Sequence, residues 1–320
     1  MSLYKIDFFN YKLQNSSKQS NVSLSYQTFG KAIGSAPLVV VNHALTGNSQ
    51  VCGEKGWWKS LIGEDKVIDT NKYSVLAFNI PGNGYLEDEN LVDNYKDFTT
   101  YDIAKLFWKG IDSFKINQVF AIIGGSLGGA IAWEMLAQRP NSIQNLVPIA
   151  TNLISSDWLI ANVLIQDRIL NHSSNPIHDA RLHAMLLYRT PESFQQKFNR
   201  KLQNENLYQV ESWLLHHGEK LKERFQLKAY KLMNHLLKTT NVFKEYKRSV
   251  EFYSKIKANI CLVSIDSDYF FTAKEIKETH SKLINNKVKA TYNEIQSIHG
   301  HDAFLIEYEQ LNKILKTIFN

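Results

Sequence analysis

Ser126 stands in Gly124-Gly125-Ser126-Leu127-Gly128-Gly129, between the apolar run Val119 to Ile123 and the helical-looking Ala130 to Leu136. A Gly-x-Ser-x-Gly between a buried strand and a helix makes a sharp, strained turn that lifts the serine hydroxyl out of the sheet at a helix N-terminus. A hydroxyl held there does acyl chemistry once a base takes its proton and a carboxylate orients that base. The second half of the chain offers candidates for both roles. Asp266 and Asp268 lie in Ser264-Ile265-Asp266-Ser267-Asp268-Tyr269-Phe270-Phe271, and His299 and His301 lie in Ser297-Ile298-His299-Gly300-His301-Asp302-Ala303-Phe304. In each loop one residue is the expected catalytic partner and the other an ordinary turn aspartate or surface histidine. Acyl transfer also needs two backbone donors for its oxyanion. One is the amide of Leu127, directly after the nucleophile; the other is expected from the loop Asn42-His43-Ala44-Leu45-Thr46-Gly47.

The elements that must carry these loops are legible as short, continuous apolar runs. Leu38 to Val41, Tyr73 to Phe78, Val119 to Ile123, Leu146 to Ala150, Ile260 to Ile265 and Val288 to Ile295 read as strands. Runs without polar alternation imply strands covered on both faces, hence a mostly parallel sheet flanked by helices. The closing stretch, Phe304 to Phe319, has helical spacing. Residues 155 to 250 differ, with long helical segments such as Glu211 to Phe225 and Lys228 to Leu237 and no buried-strand run. The expected organisation is an α/β core in two parts, residues 1–154 and 251–320, split by a helical lid insertion over 155–250. Such a block sits over the carboxyl ends of the strands, where folds of this class bind ligands.

With 320 residues, 44% of them hydrophobic, the chain can bury a full core. The formal charge of +6 comes from scattered lysines, denser only around Lys244 to Lys257, with no nucleic-acid-binding signature. Two cysteines, Cys52 and Cys261, build no disulfide framework. The start, Met1 to Asp7, is not a signal peptide, and no run approaches the roughly 18 apolar residues of a membrane span. A cytoplasmic protein is expected, with no membrane or nucleic-acid partner. His216 and His217 read as solvent-facing helix residues, and no metal-ligand spacing occurs.

Several of these segments together resemble the homoserine O-acetyltransferase family, which has the α/β-hydrolase fold. His43-Ala44-Leu45-Thr46-Gly47 is followed by Gly56-Trp57-Trp58, Leu61-Ile62-Gly63 and Asp69-Thr70. The Ser126 turn, Ser267-Asp268-Tyr269-Phe270-Phe271 and Gly300-His301-Asp302-Ala303-Phe304-Leu305 resemble that family's nucleophile, acid and histidine loops. Weaker similarity runs through Leu187-Tyr188-Arg189-Thr190, Val210 to Leu214 and Arg224-Phe225. The resemblance implies Ser126 as nucleophile, Asp268 as acid and His301 as base, with the amides of Leu45 and Leu127 as the oxyanion hole. It further implies acetyl-CoA as donor substrate, no bound cofactor, a small hydroxy amino acid such as homoserine as acceptor, and a place in methionine biosynthesis. A homodimer joined through the lids is implied as well. A serine hydrolase on the same scaffold, an esterase or thioesterase, is the alternative. A non-catalytic binding protein would be expected to have lost a member of the triad.

The departures from the family fall where the acceptor binds. Asn79-Ile80-Pro81-Gly82-Asn83-Gly84-Tyr85 replaces a Gly-Ser-Thr-Gly-Pro segment. In the first lid helix, Asp167 occupies the position of a carboxylate-binding arginine, with Arg168 one residue later, which is about 100° of helix rotation. Arg168 and Asp302 are the substrate-binding candidates. The tyrosine-bearing loop that follows is shortened to Asn171-His172-Ser173-Ser174-Asn175-Pro176.

Overall fold

The computed structural model describes residues 2–15, 19–85 and 91–319. Eight strands form one sheet: β1 (Tyr4–Lys12), β2 (Gln19–Gly30), β3 (Leu38–Asn42), β6 (Ser74–Phe78), β7 (Val119–Gly125), β8 (Ile143–Ile149), β11 (Asn259–Ile265) and β12 (Ala290–Ile295). Two short pairs lie outside it, β4 (Ile62–Gly63) with β5 (Ile68–Asp69) and β9 (Leu202–Asn204) with β10 (Leu207–Tyr208). The sheet order is β1-β2-β6-β3-β7-β8-β11-β12. From β6 to β12 every neighbour is parallel, while β2 runs antiparallel to both β1 and β6.

The continuous apolar runs explain this layering. In β3, Leu38 and Val40 pack into one core while Val39 and Val41 pack into the other, so every residue is buried. The first core lies under α1 (Thr100–Ser113), α2 (Leu127–Gln138) and α9 (Ala273–Asn285); the second lies under α10 (Tyr308–Leu315) and the segment around Trp58. The six buried-strand runs all fall on sheet strands. The antiparallel edge, β1 and β2, was not legible in that way, because β1 is largely exposed and reads as mixed polar sequence. The closing helical stretch divides into a 3-10 turn, Gly300–Leu305, and α10.

Between β8 and β11 the chain forms α3 (Asp157–His172), α4 (Pro176–Tyr188), α5 (Pro191–Phe198), α6 (Gln209–Arg224), α7 (Leu227–Leu237) and α8 (Ser249–Lys255). None of them adds a strand to the main sheet. An isolated bridge between Ile154 and Asn241, and the bond from Val242 N–H to the Leu153 carbonyl, close the root of this excursion. No helix of the described residues is long and apolar enough to cross a membrane.

Candidate active site

Ser126 joins β7 to α2 with φ 55° and ψ −124°, a left-handed conformation that a serine adopts only under constraint. Constraint comes from bonds on both sides: Ser126 N–H donates to the Ile149 carbonyl, and the Ser126 carbonyl accepts from Ala130 N–H. Packing then leaves no alternative to glycine at Gly128, where a Cβ would stand 2.3 Å from the Asn42 carbonyl oxygen. At Gly125 a Cβ would stand 2.6 Å from the Phe304 ring.

Asp268 and His301 are brought together from the ends of β11 and β12. Asp268 Oδ2 and His301 Nδ1 are 2.7 Å apart, and both residues are buried. The other carboxylate oxygen, Oδ1, accepts the N–H groups of Phe270 and Phe271, which fixes the acid. Rings of Phe270, Phe271, Phe304 and Tyr188 surround the imidazole. Phe304 packs close to the elbow at Gly125, and its ring also lies beside that of His301. Neither Ser126 Oγ nor His301 Nε2 has a hydrogen-bond partner among the described residues. The competing residues have other work. Asp266 is exposed and accepts the Ser297 N–H, tying the two loops; His299 lies beside the Arg189 guanidinium at 3.2 Å.

The amides of Leu45 and Leu127 have no acceptor among the described residues, so both donors are free to receive an oxyanion. What holds the Leu45 loop was not read from the sequence. His43 is fully buried; its Nε2 accepts the Ile80 N–H at 2.9 Å, so the proton sits on Nδ1 and is donated to the Ala44 carbonyl at 2.7 Å. Burial pushes this imidazole down from 6.5 to about 4 and keeps it neutral. Asn79 and Asn83 extend the network: Asn79 accepts Ser49 N–H and donates to Ser25 and Ser49, while Asn83 donates to Asn79. The departing segment Asn79 to Tyr85 is therefore the scaffold of the oxyanion loop. Its sequence signal was two side-chain amides, Asn79 and Asn83, and, after the preceding strand β3, the histidine His43.

The helical excursion closes over this centre. Between it and the oxyanion loop lies a void of about 10 Å³, touched by Leu45, Asn162, Gln166, Tyr188, Tyr230 and Phe270, with room for no more than about one water. On α3 the residues that reach the void are Asn162, Val163 and Gln166. Arg168 is exposed and away from it, because helix rotation carries 168 to the outer face shared by Leu164 and Ile165. Asp167 is half-buried and accepts from the Tyr95 hydroxyl at 3.4 Å. Gln166 Nε2 donates to the Ala180 carbonyl and contacts His183 Nδ1, and its Oε1 is buried without a partner. Asp302 is half-buried beside His301; desolvation raises its carboxyl while Arg181, His301 and Arg189 oppose that rise. Arg189 Nη1 stands 3.9 Å from Asp302 Oδ2. Among the described residues no three His, Cys, Asp or Glu side chains gather in a way that could hold a metal ion.

A strained serine at a strand-to-helix turn, with acid and histidine on loops after later strands of a parallel sheet, defines an α/β-hydrolase. The alpha/beta hydrolase fold family matches residues 37–292, and the chain belongs to it. Within that class the chain belongs to the homoserine O-acetyltransferase family. It is 34% identical to the homoserine O-acetyltransferase of Methanococcus vannielii, over 95% of this chain and 69% of that protein. It is 28% identical to the homoserine O-succinyltransferase of Nitrosomonas europaea, over 96% and 93% of the two chains. The crystal structure of the homoserine O-acetyltransferase from Bacillus anthracis superposes with a TM-score of 0.87 at 18% identity, covering 100% of this chain and 98% of that one.

Proposed function

We propose that the protein transfers an acetyl group from acetyl-CoA to the hydroxyl of homoserine or a similar small hydroxy amino acid, through an acyl-Ser126 intermediate. The step belongs to the biosynthesis of methionine. The observation that carries this reading is the 2.7 Å bond between Asp268 and His301 Nδ1, which leaves Nε2 as the free base.

In the first half-reaction Ser126 Oγ attacks the thioester carbonyl as its proton passes to His301 Nε2. The negative oxygen is received by the N–H groups of Leu45 and Leu127. Collapse breaks the carbon–sulfur bond, and the thiol of CoA leaves with the proton from His301. The acceptor hydroxyl then gives its proton to His301 and attacks the acyl-serine, and Ser126 regains its proton. Asp268 holds the imidazole in one tautomer through both halves. Residues 155–250 act as the lid: the void over Leu45 is too small for substrate, so donor entry requires the helices to lift. Beside the oxyanion loop a cleft of about 240 Å³, touched by Thr46, Asn83, Tyr85 and Arg224, offers the donor a route.

For the acceptor, Asp302 takes the ammonium, and the cations near it, Arg181 and Arg189, are better placed for the carboxylate than Arg168. The exposed face of α3, with Trp158, Leu164 and Ile165, is the surface on which a second copy docks to give a dimer through the lids. The test is intact-mass spectrometry after mixing with acetyl-CoA. A covalent acetyl adduct forms in the native protein and is absent in Ser126→Ala; an adduct surviving in that variant overturns the nucleophile. Release of CoA that depends on homoserine supports transfer, and release independent of any acceptor identifies a hydrolase.

A further inference from the structure

On the flank of the molecule away from the Asp268–His301 pair, a cleft of about 510 Å³ lies between α1, the end of α2 and the segment 241–255. Its floor includes Glu134, which is 2% exposed and lies in the middle of α2. The Oε1 atom of Glu134 accepts the Asn241 N–H at 3.0 Å and the Thr100 hydroxyl at 3.2 Å. The Oε2 atom has no partner among the described residues, and it is not sealed from solvent as the orphaned buried atoms of the protein are. Because Glu134 lines the cleft, that bare oxygen opens into it. A buried carboxyl with one oxygen unserved costs stability, whether charged or neutral, unless a donor fills the position.

The walls and rim define what that donor is attached to. Trp108 and Tyr246 supply aromatic walls, while Lys105, Lys109 and Lys255 stand around the opening. Arg139 is already neutralised by Asp112 through two 2.6 Å bonds, and Glu245 already accepts from Gln14. Among the described residues none of the three lysines forms a close ion pair, although Lys105 acts on Asp102 and Lys109 on Asp112 through space. A ligand that satisfies both levels carries an ammonium to lie on Glu134 and a carboxylate to face the lysines.

We propose that this cleft is a second binding site, separate from the acyl-transfer centre, for a small zwitterion of the amino-acid class with its ammonium on Glu134 Oε2. The location gives the site reach. Glu134 is eight residues along α2 from Ser126, and Asn241, whose amide it holds, pairs with Ile154 at the root of the helical excursion.

The test is isothermal titration calorimetry on the full chain with three matched probes: L-norleucine, n-pentylamine, which lacks its carboxylate, and hexanoate, which lacks its ammonium. Norleucine is expected to bind saturably in the millimolar range, pentylamine about tenfold more weakly, and hexanoate not at all. Glu134→Gln keeps an acceptor for Asn241 and Thr100 but presents an amide to the cleft, and norleucine affinity is expected to fall by about tenfold or more. The doubly exposed variant Lys109→Ala/Lys255→Ala does not touch the core, and in it norleucine loses its advantage over pentylamine. Norleucine binding of undiminished strength in both variants comes from another site, including the acyl-transfer centre, and overturns the proposal. Absence of binding in the native protein at tens of millimolar overturns it too.

Discussion

Acid should weaken this protein through His43, and by a calculable amount. The imidazole is fully buried, neutral, and held by two bonds that require Nδ1 to be its protonated nitrogen and Nε2 to be an acceptor. Its folded value is about 4 against 6.5 when unfolded. A lowered histidine contributes nothing unfavourable above pH 6.5; as pH falls below that, the unfolded chain takes up the proton and the folded chain does not. The gap of about 2.5 units is worth about 3.4 kcal/mol once fully expressed below pH 4, and about 2 kcal/mol is already lost at pH 5. Urea unfolding at pH 7.5 and pH 5, for the native protein and His43→Gln, isolates the effect, since glutamine does not titrate and all other groups are common to both. The native protein should lose about 2 kcal/mol more than the variant between the two conditions. Equal losses would refute the assignment of a neutral, doubly bonded His43. The same variant should acylate about tenfold to a hundredfold more slowly at pH 7.5, because the loop that aims the Leu45 amide loses its anchor.

Three further outcomes test neighbouring parts of the site. His301→Ala should lower acyl-enzyme formation by about a thousandfold or more while His299→Ala stays within about tenfold, read by rapid-quench mass spectrometry; the reverse ranking would exchange their roles. Gly128→Ala drives a Cβ into backbone oxygen and should cost more than about 3 kcal/mol, whereas Gly125→Ala meets a ring that can tilt and should cost about 1–2 kcal/mol while slowing acylation, as Phe304 is pushed toward His301. Thermal melts and burst kinetics on the two variants separate these cases. Leu164→Lys, on the exposed face of α3, should shift the sedimentation of the lid-joined dimer proposed above to that of a monomer, and an unchanged coefficient would refute α3 as its interface.

The residues that could be read directly were those whose chemistry dictates local sequence. A strand buried on both faces must be apolar throughout, so β3, β6, β7, β8 and β11 announced themselves. The edge strand β1 did not, because exposure lets its side chains be polar, and its neighbour β2 did not, because its buried residues alternate with partly exposed ones and include the polar Ser25 and Gln27. Glycines at 125 and 128 are demanded by contacts, and the turn around Ser126 was legible for that reason. The choice between Asp266 and Asp268 was not available from spacing alone, since both follow the same strand; it took the 2.7 Å contact to His301 and the two amides of Phe270 and Phe271 to separate them. The direction in which Arg168 points was not legible for a similar reason. Helix phase over sixteen residues cannot be set from one anchor to within a single position, and one position moves a side chain from the void to the outer face.

That phase has a chemical consequence for the acceptor. The α3 side chains reaching the void are Asn162, Val163 and Gln166, none of them charged, and the Oε1 of Gln166 is buried and unpartnered. Such a lining is neutral and holds an unmet hydrogen-bond acceptor, so α3 itself provides no counter-charge for a carboxylate. Positive charge enters from α4 and its C-terminal end, at Arg181 and Arg189, and both act on Asp302 beside the catalytic base. In the proposed reaction, an acceptor amino acid held by these groups would lie with its charged end toward the histidine loop and its remaining hydrogen-bond donors toward Gln166. Discrimination among hydroxy amino acids then falls to the amide rather than to an ion pair. Because a buried acceptor left unserved costs about 1–3 kcal/mol, Gln166→Leu should relax the preference between homoserine and its analogues by roughly tenfold to a hundredfold, with acylation by acetyl-CoA left unaltered.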